Sequence, residues 1–344
     1  MTKIFRHIVF LFISYLIIFI PIKSVSQDIQ YSQFYANVLY LNPAFAGNAH
    51  ATRGIFHQRL QWPALDAKYI TSHFSLDTYF SKLNSGIGIM FHKDWQGANT
   101  IASTDLALQY AYELQLSSRY AFRAGAQLSY VTRSINYSVL YFPDQYNANG
   151  YLGSQTNQPN NIQNIQYLDI SSGGIFYSDQ YWLGLSYSHM NRPNQSFYGG
   201  SSRLPYKIDF TAGYRIDLKN KNQSIEDKNK NVYLTPTFHY KSQGKSDQVD
   251  VGLYFLRNKL ITGIWYRGIP WLKKYRDNLQ NNESLVVLVG WRLNQLSISY
   301  SYDFTVSKLA PINTGGSHEL NITYIFDKKG KKKKIMKKIP CPDL

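Results

Sequence analysis

From Ser317 to Phe326 the chain reads Ser-His-Glu-Leu-Asn-Ile-Thr-Tyr-Ile-Phe. Leu320, Ile322, Tyr324 and Phe326 fall on one face, and Glu319, Asn321 and Thr323 on the other. Apolar residues facing lipid alternate with polar residues facing a lumen in the strands of an outer-membrane β-barrel, and a strand of this kind ends in an aromatic at the water interface. A single such segment is a weak signal, so recurrence decides. In 296–304, Leu296, Ile298, Tyr300, Tyr302 and Phe304 oppose Ser297, Ser299, Ser301 and Asp303. In 122–130, Phe122, Ala124, Ala126, Leu128 and Tyr130 oppose Arg123, Gly125, Gln127 and Ser129.

Working outward, strands are predicted at 53–60, 68–79, 85–93, 100–113, 119–133, 167–178, 181–190, 206–218, 231–242, 248–256, 259–267, 284–293, 296–306 and 317–326. Their number is even, as single-chain bacterial barrels require. The connections support the same reading, because barrels have short turns at one end and long loops at the other. The even-numbered connections include Ser81 to Asn84, Gln115 to Ser118, Asp179-Gln180, Arg257-Asn258 and Asn294-Gln295. The odd ones include 134–166, 191–205 and 268–283, and one even connection, 219–230, breaks the rule. The expected architecture is all-β: a transmembrane antiparallel β-barrel of about 14 strands over 53–326.

The bulk numbers agree. A mean hydropathy of -0.33 would suit a soluble protein, but barrels escape hydropathy plots because only alternate residues are apolar. The 29 Tyr, 19 Phe and 6 Trp suit aromatic girdles at both membrane interfaces. Residues 1–26 read as a signal peptide, with basic Lys3 and Arg6, an apolar run from Ile8 to Ile20, and small residues at Ser24-Val25-Ser26. That run is short for a spanning helix, and no second long apolar stretch follows, so a helical-bundle membrane protein is excluded. No cysteine near the cleavage site excludes a lipoprotein. The net charge of +16 is concentrated in the leader and in a tail, 327–344. The tail holds Lys328, Lys329, Lys331 to Lys334, Lys337 and Lys338. The body is only mildly basic, so nucleic acid is not an expected partner. Cys341 is the one cysteine, which excludes a disulfide scaffold.

Two regions do not alternate. In 27–52, Tyr31, Phe34, Tyr35, Val38 and Leu39 recur at helical spacing, ending at Asn42-Pro43. This predicts a short aromatic helix packed on the barrel mouth or inside its lumen, or acting as a plug. The Lys-rich tail is expected to lie in the periplasm, solvated or against anionic lipid or an acidic partner. No chemistry is apparent. The histidines show no metal spacing such as His-Glu-x-x-His, and no Gly-x-Ser-x-Gly elbow occurs. His57 and His73, on adjacent strands, are candidates for a polar lumen network. Catalytic residues, metal ligands and cofactors are not expected, and the chain does not read as an enzyme.

Two stretches resemble a known family. Gln30-Tyr31-Ser32-Gln33-Phe34-Tyr35, running on to Leu41-Asn42-Pro43-Ala44-Phe45-Ala46-Gly47, resembles the opening signature of the PorP/SprF family. Thr314-Gly315-Gly316-Ser317-His318-Glu319-Leu320, with a lysine-rich tail ending in Cys341-Pro342, resembles its end. The resemblance implies an outer-membrane accessory of type IX secretion in Bacteroidetes. Such a protein binds, anchors or helps export a large surface cargo protein and contacts secretion or gliding machinery. Tyr31, Gln33, Asn42, Pro43, Phe45, Gly47, Gly316, His318 and Glu319 match its motifs and are candidates for partner contact. Asn42, Pro43 and Gly47 also have a plain structural reading, proline ending a helix and glycine allowing a turn. The expected location is the outer membrane, in contact with its lipid, with both termini periplasmic. The competing reading is a channel for a small or apolar solute with residues 28–47 as plug.

Overall fold

The structure, a computed structural model, describes residues 28–97, 100–153, 155–158, 160, 164–218, 232–276, 279–307, 314–326 and 339–341. The expected signal peptide, the connection 219–230 and the lysines of the tail lie outside these residues.

Each predicted segment is a strand: β1 (Thr52–Gln61), β2 (Tyr69–Phe80), β3 (Ser85–Gln96), β4 (Ile101–Gln115), β5 (Ala121–Ile135), β6 (Ile165–Tyr177), β7 (Tyr181–Ser188), β8 (Lys207–Tyr214), β9 (Val232–Gln243), β10 (Ser246–Arg257), β11 (Leu260–Arg276), β12 (Leu279–Leu293), β13 (Leu296–Thr305) and β14 (Ser317–Phe326). Every strand pairs antiparallel with its sequence neighbours. β14 returns to β1, from Thr52 opposite Phe326 to Gln61 opposite Ser317. The result is a closed 14-strand barrel with no sheet edge left to face lipid, the condition for a sheet to span a membrane.

Alternation sets the two faces. Leu108, Leu128, Leu168, Leu185, Val251 and Val289 stand exposed on the outside. Arg59, His73, Gln109, Arg123, Arg267 and Glu319 are buried inside. Only an environment of lipid outside and a filled polar interior makes that pattern favourable.

One end of the barrel carries the short turns. Asn84, Asn258 and Asn294 occupy these turns with φ of 48°, 57° and 29°, a conformation that asparagine tolerates in tight hairpins. The other end carries the long connections. The segment 134–166 has structure of its own: 3-10 turns at Tyr137–Val139 and Pro143–Gln145, and a hairpin pairing Tyr146 with Tyr151. The Asp144 carboxylate ties it together, accepting from Thr156 Oγ1 (2.9 Å) and Asn157 N (2.7 Å).

The stretch 268–283 corrects the sequence reading. It is not a loop but the outer part of β11 and β12, with pairing shifts from Arg267/Gly268 onward. Two antiparallel arms continue to pair there, Gly268 with Asn282, Ile269 with Asn281, Lys274 with Gln280 and Arg276 with Leu279. Gly268, at φ 142°, and Pro270, which has no N–H for the ladder, mark where pairing becomes irregular.

Candidate functional site: the N-terminal segment in the lumen

Residues 28–50 run inside the barrel, from Asp28 at the long-loop mouth to Ala49 near the short-turn mouth. The helical spacing is realised as one turn only, α1 (Val38–Leu41). It ends because Pro43 follows Asn42. The Asn42 side chain then accepts from Ala44 N (2.9 Å), capping a 3-10 turn at Pro43–Phe45. So short a helix leaves backbone carbonyls unmet, and the barrel wall meets them. Gln109 Nε2 donates to Leu39 O (2.8 Å) and Ser186 Oγ to Leu41 O (3.0 Å). Arg123, itself paired closely with Glu113, donates to Ala44 O (2.9 Å) and Ala46 O. Asn42 Nδ2 donates to Leu185 O (3.0 Å), and Gly47 N to Asp77 Oδ2 (2.8 Å).

The wall has been cut back to admit this segment. A Cβ on Gly86 would lie 1.9 Å from Ala46 O, on Gly125 2.3 Å from Ala44 N, and on Gly173 2.1 Å from Asn42 Oδ1. Real Cβ contacts are never so short, and two of the three obstacles are backbone atoms. These strand glycines are therefore the imprint of the segment on the barrel.

Higher in the lumen a ring of charges grips the segment. Glu319 on β14 accepts from Ser32 N (2.6 Å) and Gln33 N (2.7 Å), and its backbone carbonyl accepts from Gln33 Nε2 (3.0 Å). Arg59 pairs closely with Glu319 and lies 3.3 Å from Asp303. His57 Nε2 stands 3.2 Å from the Glu319 carboxylate. Arg267 bonds Asp250 (2.7 Å) and reaches Ser32 Oγ (3.1 Å), while His239 bridges Asp209 (3.0 Å) and Asp250 (3.2 Å). Buried charges persist only when paired and hydrogen-bonded in this way. The aromatics fill the remainder: Tyr31 stands edge-on to His57 (4.9 Å), Phe34 packs on His239 (4.9 Å), and Tyr35 on Trp182 (5.6 Å).

At the long-loop mouth, Asp28 is clamped by His189 Nε2 (2.8 Å), Lys207 Nζ (3.2 Å) and Gln243 Nε2 (2.9 Å). Burial opposes the charge on Asp28, but His189 and Lys207 hold its carboxyl well below the usual range. Burial likewise opposes the charge on His189, but Asp28 and Asp169 push it up to about 9. The contribution of Asp28 is complete above the ordinary carboxylate value and lost only as pH falls through the lowered one. That of His189 is complete below the ordinary imidazole value and lost as pH rises through about 9. The clamp thus spans neutral pH and opens on the alkaline side. Hydrogen exchange of residues 28–33, corrected for its intrinsic pH dependence, should accelerate on passing pH 9. A His189→Gln chain should be loose already at pH 7. A flat wild-type profile would contradict the assignment.

Tyr31, Gln33, Asn42, Pro43, Phe45, Gly47 and Glu319, the matching residues of the two motifs, are all buried at this contact of segment and wall. Gly316 lies at the outer turn with φ 68°, accepting from Trp62 N (2.9 Å). His318 stands on the outer face, half-buried, and Tyr300 Oη lies 2.7 Å from its Nδ1. Sequence reasoning missed Arg59, Asp77, Arg123, Asp250, Arg267 and Asp303. The signal that could have found them is a charged residue at a lumen-facing position, as Arg123 and Asp303 are in the stretches 122–130 and 296–304. It also missed that Ile339 and Cys341 are buried at the short-turn mouth, at 3% and 6% exposure, where a solvated tail was expected. Asp28 and Cys341 consequently stand at opposite ends of the barrel, so the two ends of the described chain do not share a side. Among the described residues no cluster of three or more His, Cys, Asp or Glu is arranged to hold a metal ion.

Closed sheet, apolar exterior and occupied lumen define an outer-membrane β-barrel filled by its own N-terminal segment. The sequence model of the family described as "Type IX secretion system membrane protein PorP/SprF" matches residues 23–324. The chain belongs to this family. No curated relative matches it by sequence. Among solved structures it is similar to the Acinetobacter baumannii outer membrane protein Omp33, at 7% identity over 80% of this chain and 99% of that one, with a TM-score of 0.43. It is also similar to the Ralstonia pickettii toluene transporter TbuX, at 8% identity over 84% and 93%, with a TM-score of 0.47. CdiB from Acinetobacter baumannii matches at 7% identity over 80% and 60%, with a TM-score of 0.45.

Proposed function

We propose that this chain is a non-enzymatic accessory of type IX secretion that binds, anchors or helps export a surface cargo protein and contacts the secretion or gliding machinery. The observation that carries the reading, beside the family, is the occupied lumen. The cavities left around the segment are about 90 Å³ near the long-loop mouth, and about 180 and 130 Å³ near the other. A barrel so filled serves as an anchor and a surface, not as a standing passage for solute. We orient the long loops outward and the short turns toward the periplasm. The cargo contact is assigned to 136–164, 189–206 and the projecting hairpin, where Tyr141 and Tyr198 are 72% and 69% exposed. Exposed tyrosines among Asn, Gln, Ser and Gly are well suited to adaptable protein recognition. The motif residues act on partners by holding the segment in place, and only His318 keeps part of its own surface free for contact.

A tagged copy purified from solubilised outer membranes of the native host, under mild detergent, should carry with it a large secreted protein or secretion components. Deleting 137–160 should release the cargo and leave the barrel inserted. Recovery of the barrel alone would overturn the reading and favour the solute channel.

A further inference from the structure

β14 leaves the barrel wall at Phe326, at the short-turn mouth, yet residues 339–341 are back inside that mouth. Ile339 and Cys341 belong to the same buried cluster as Tyr35, Tyr254, Ile261 and Trp265. One neighbouring cavity is lined by Tyr233, Tyr254, Leu256 and Ile261 together with Ile339, Pro340 and Cys341, and the other by Tyr35, Val38, Ile55 and Cys341. Arg292 lines both. The three residues therefore sit against the foot of the N-terminal segment as well as the wall.

We propose that the short-turn mouth is a binding pocket for a short apolar peptide and that Ile339-Pro340-Cys341 is its resident occupant, closing the barrel from the side opposite to Asp28. The chemistry suits the task. Ile339 supplies an apolar anchor to an aromatic floor. Pro340 has its φ fixed in advance, so little freedom is lost on seating. Cys341 behaves as a small apolar side chain. Burial of such residues beside a run of lysines is otherwise unfavourable, since a block of like charge is normally solvated throughout.

Cys341 is the only cysteine, so one thiol reports on the seat in the full chain. Purified protein in detergent is treated with a small maleimide, with and without urea. Seated, Cys341 should label about tenfold more slowly than in the unfolded chain, or slower still. Ile339→Asp should dislodge the tip and bring labelling to the unfolded rate, while the barrel keeps its heat-modifiable mobility on gels. Wild-type labelling at the unfolded rate, or equal rates in wild type and I339D, would overturn the proposal. If I339D does not insert, Pro340→Gly takes its place and should also speed labelling. A rate equal to wild type would again overturn it.

Discussion

Glu319→Ala is expected to lower the stability of the folded barrel by about 3–5 kcal/mol, the loss that follows when one member of a buried charge pair is removed. Four contacts converge on this carboxylate: the N–H groups of Ser32 and Gln33, the Arg59 guanidinium and the His57 ring. Without it, Arg59 keeps Asp303 at 3.3 Å and the Ser32 hydroxyl at 2.8 Å, and two buried backbone donors lose their acceptor. Leaving a buried group unsatisfied carries its full desolvation penalty. Glu319→Gln keeps the shape and one acceptor oxygen and should lose less. The check is urea unfolding in detergent, read by the heat-modifiable shift on gels. An unchanged midpoint for the alanine chain would show that the ring does not hold the segment.

Gly125→Val is expected to displace the N-terminal segment and open the lumen. Its Cβ would meet Ala44 N, Pro43 C and Ala44 Cα at 2.3, 2.5 and 2.6 Å. All three are backbone atoms that cannot rotate aside. Overpacking of this kind costs about 1–3 kcal/mol where neighbours can yield, and more where they cannot. Gly86→Val, against Ala46 O at 1.9 Å, should act in the same direction. Single-channel recording should show a closed wild type and steady conductance in the variants, with faster proteolysis between residues 28 and 50. Gly200→Ala has only Ser196 Oγ nearby, at 3.6 Å, and should change nothing. Equal conductance in all four chains would contradict the plug.

The barrel was legible because its signal is local. Each strand carries its own alternation, and each turn its own Asn or polar pair, so errors in one segment do not spread. The stretch 268–283 reads as a loop because its sequence, Gly-Ile-Pro-Trp-Leu-Lys-Lys-Tyr-Arg onward, shows no alternation, although its backbone continues to pair. The contents of the lumen were not legible, because the seat is assembled from distant pieces. Asp303 meets Arg59 across 244 positions, and Ser32 meets Glu319 across 287. The spacing of Tyr31, Phe34 and Tyr35 predicted burial correctly but helix over too long a span. Their rings pack on different walls of a tube, a demand that an irregular backbone meets better than a helix with one apolar stripe. Only the glycines at 86, 125 and 173 hinted at the seat, and a strand glycine marks a bulge or a tight bend just as often. At the far end, the lysine run concealed three residues that return to the barrel.

The Glu319 grip reaches beyond the folded state, to assembly. Its carboxylate stands on the last strand, and the groups it holds are in the N-terminal segment. Until β14 is laid against β1, the backbone N–H groups of Ser32 and Gln33 lack their acceptor. Closing the barrel and seating the segment thus become one cooperative event. A slip of a single residue at that junction would turn Glu319 toward lipid and Leu320 into the ring of charges. The contacts of the segment with Glu319 are therefore compatible with one alignment of β14 against β1 and not with its one-residue neighbours.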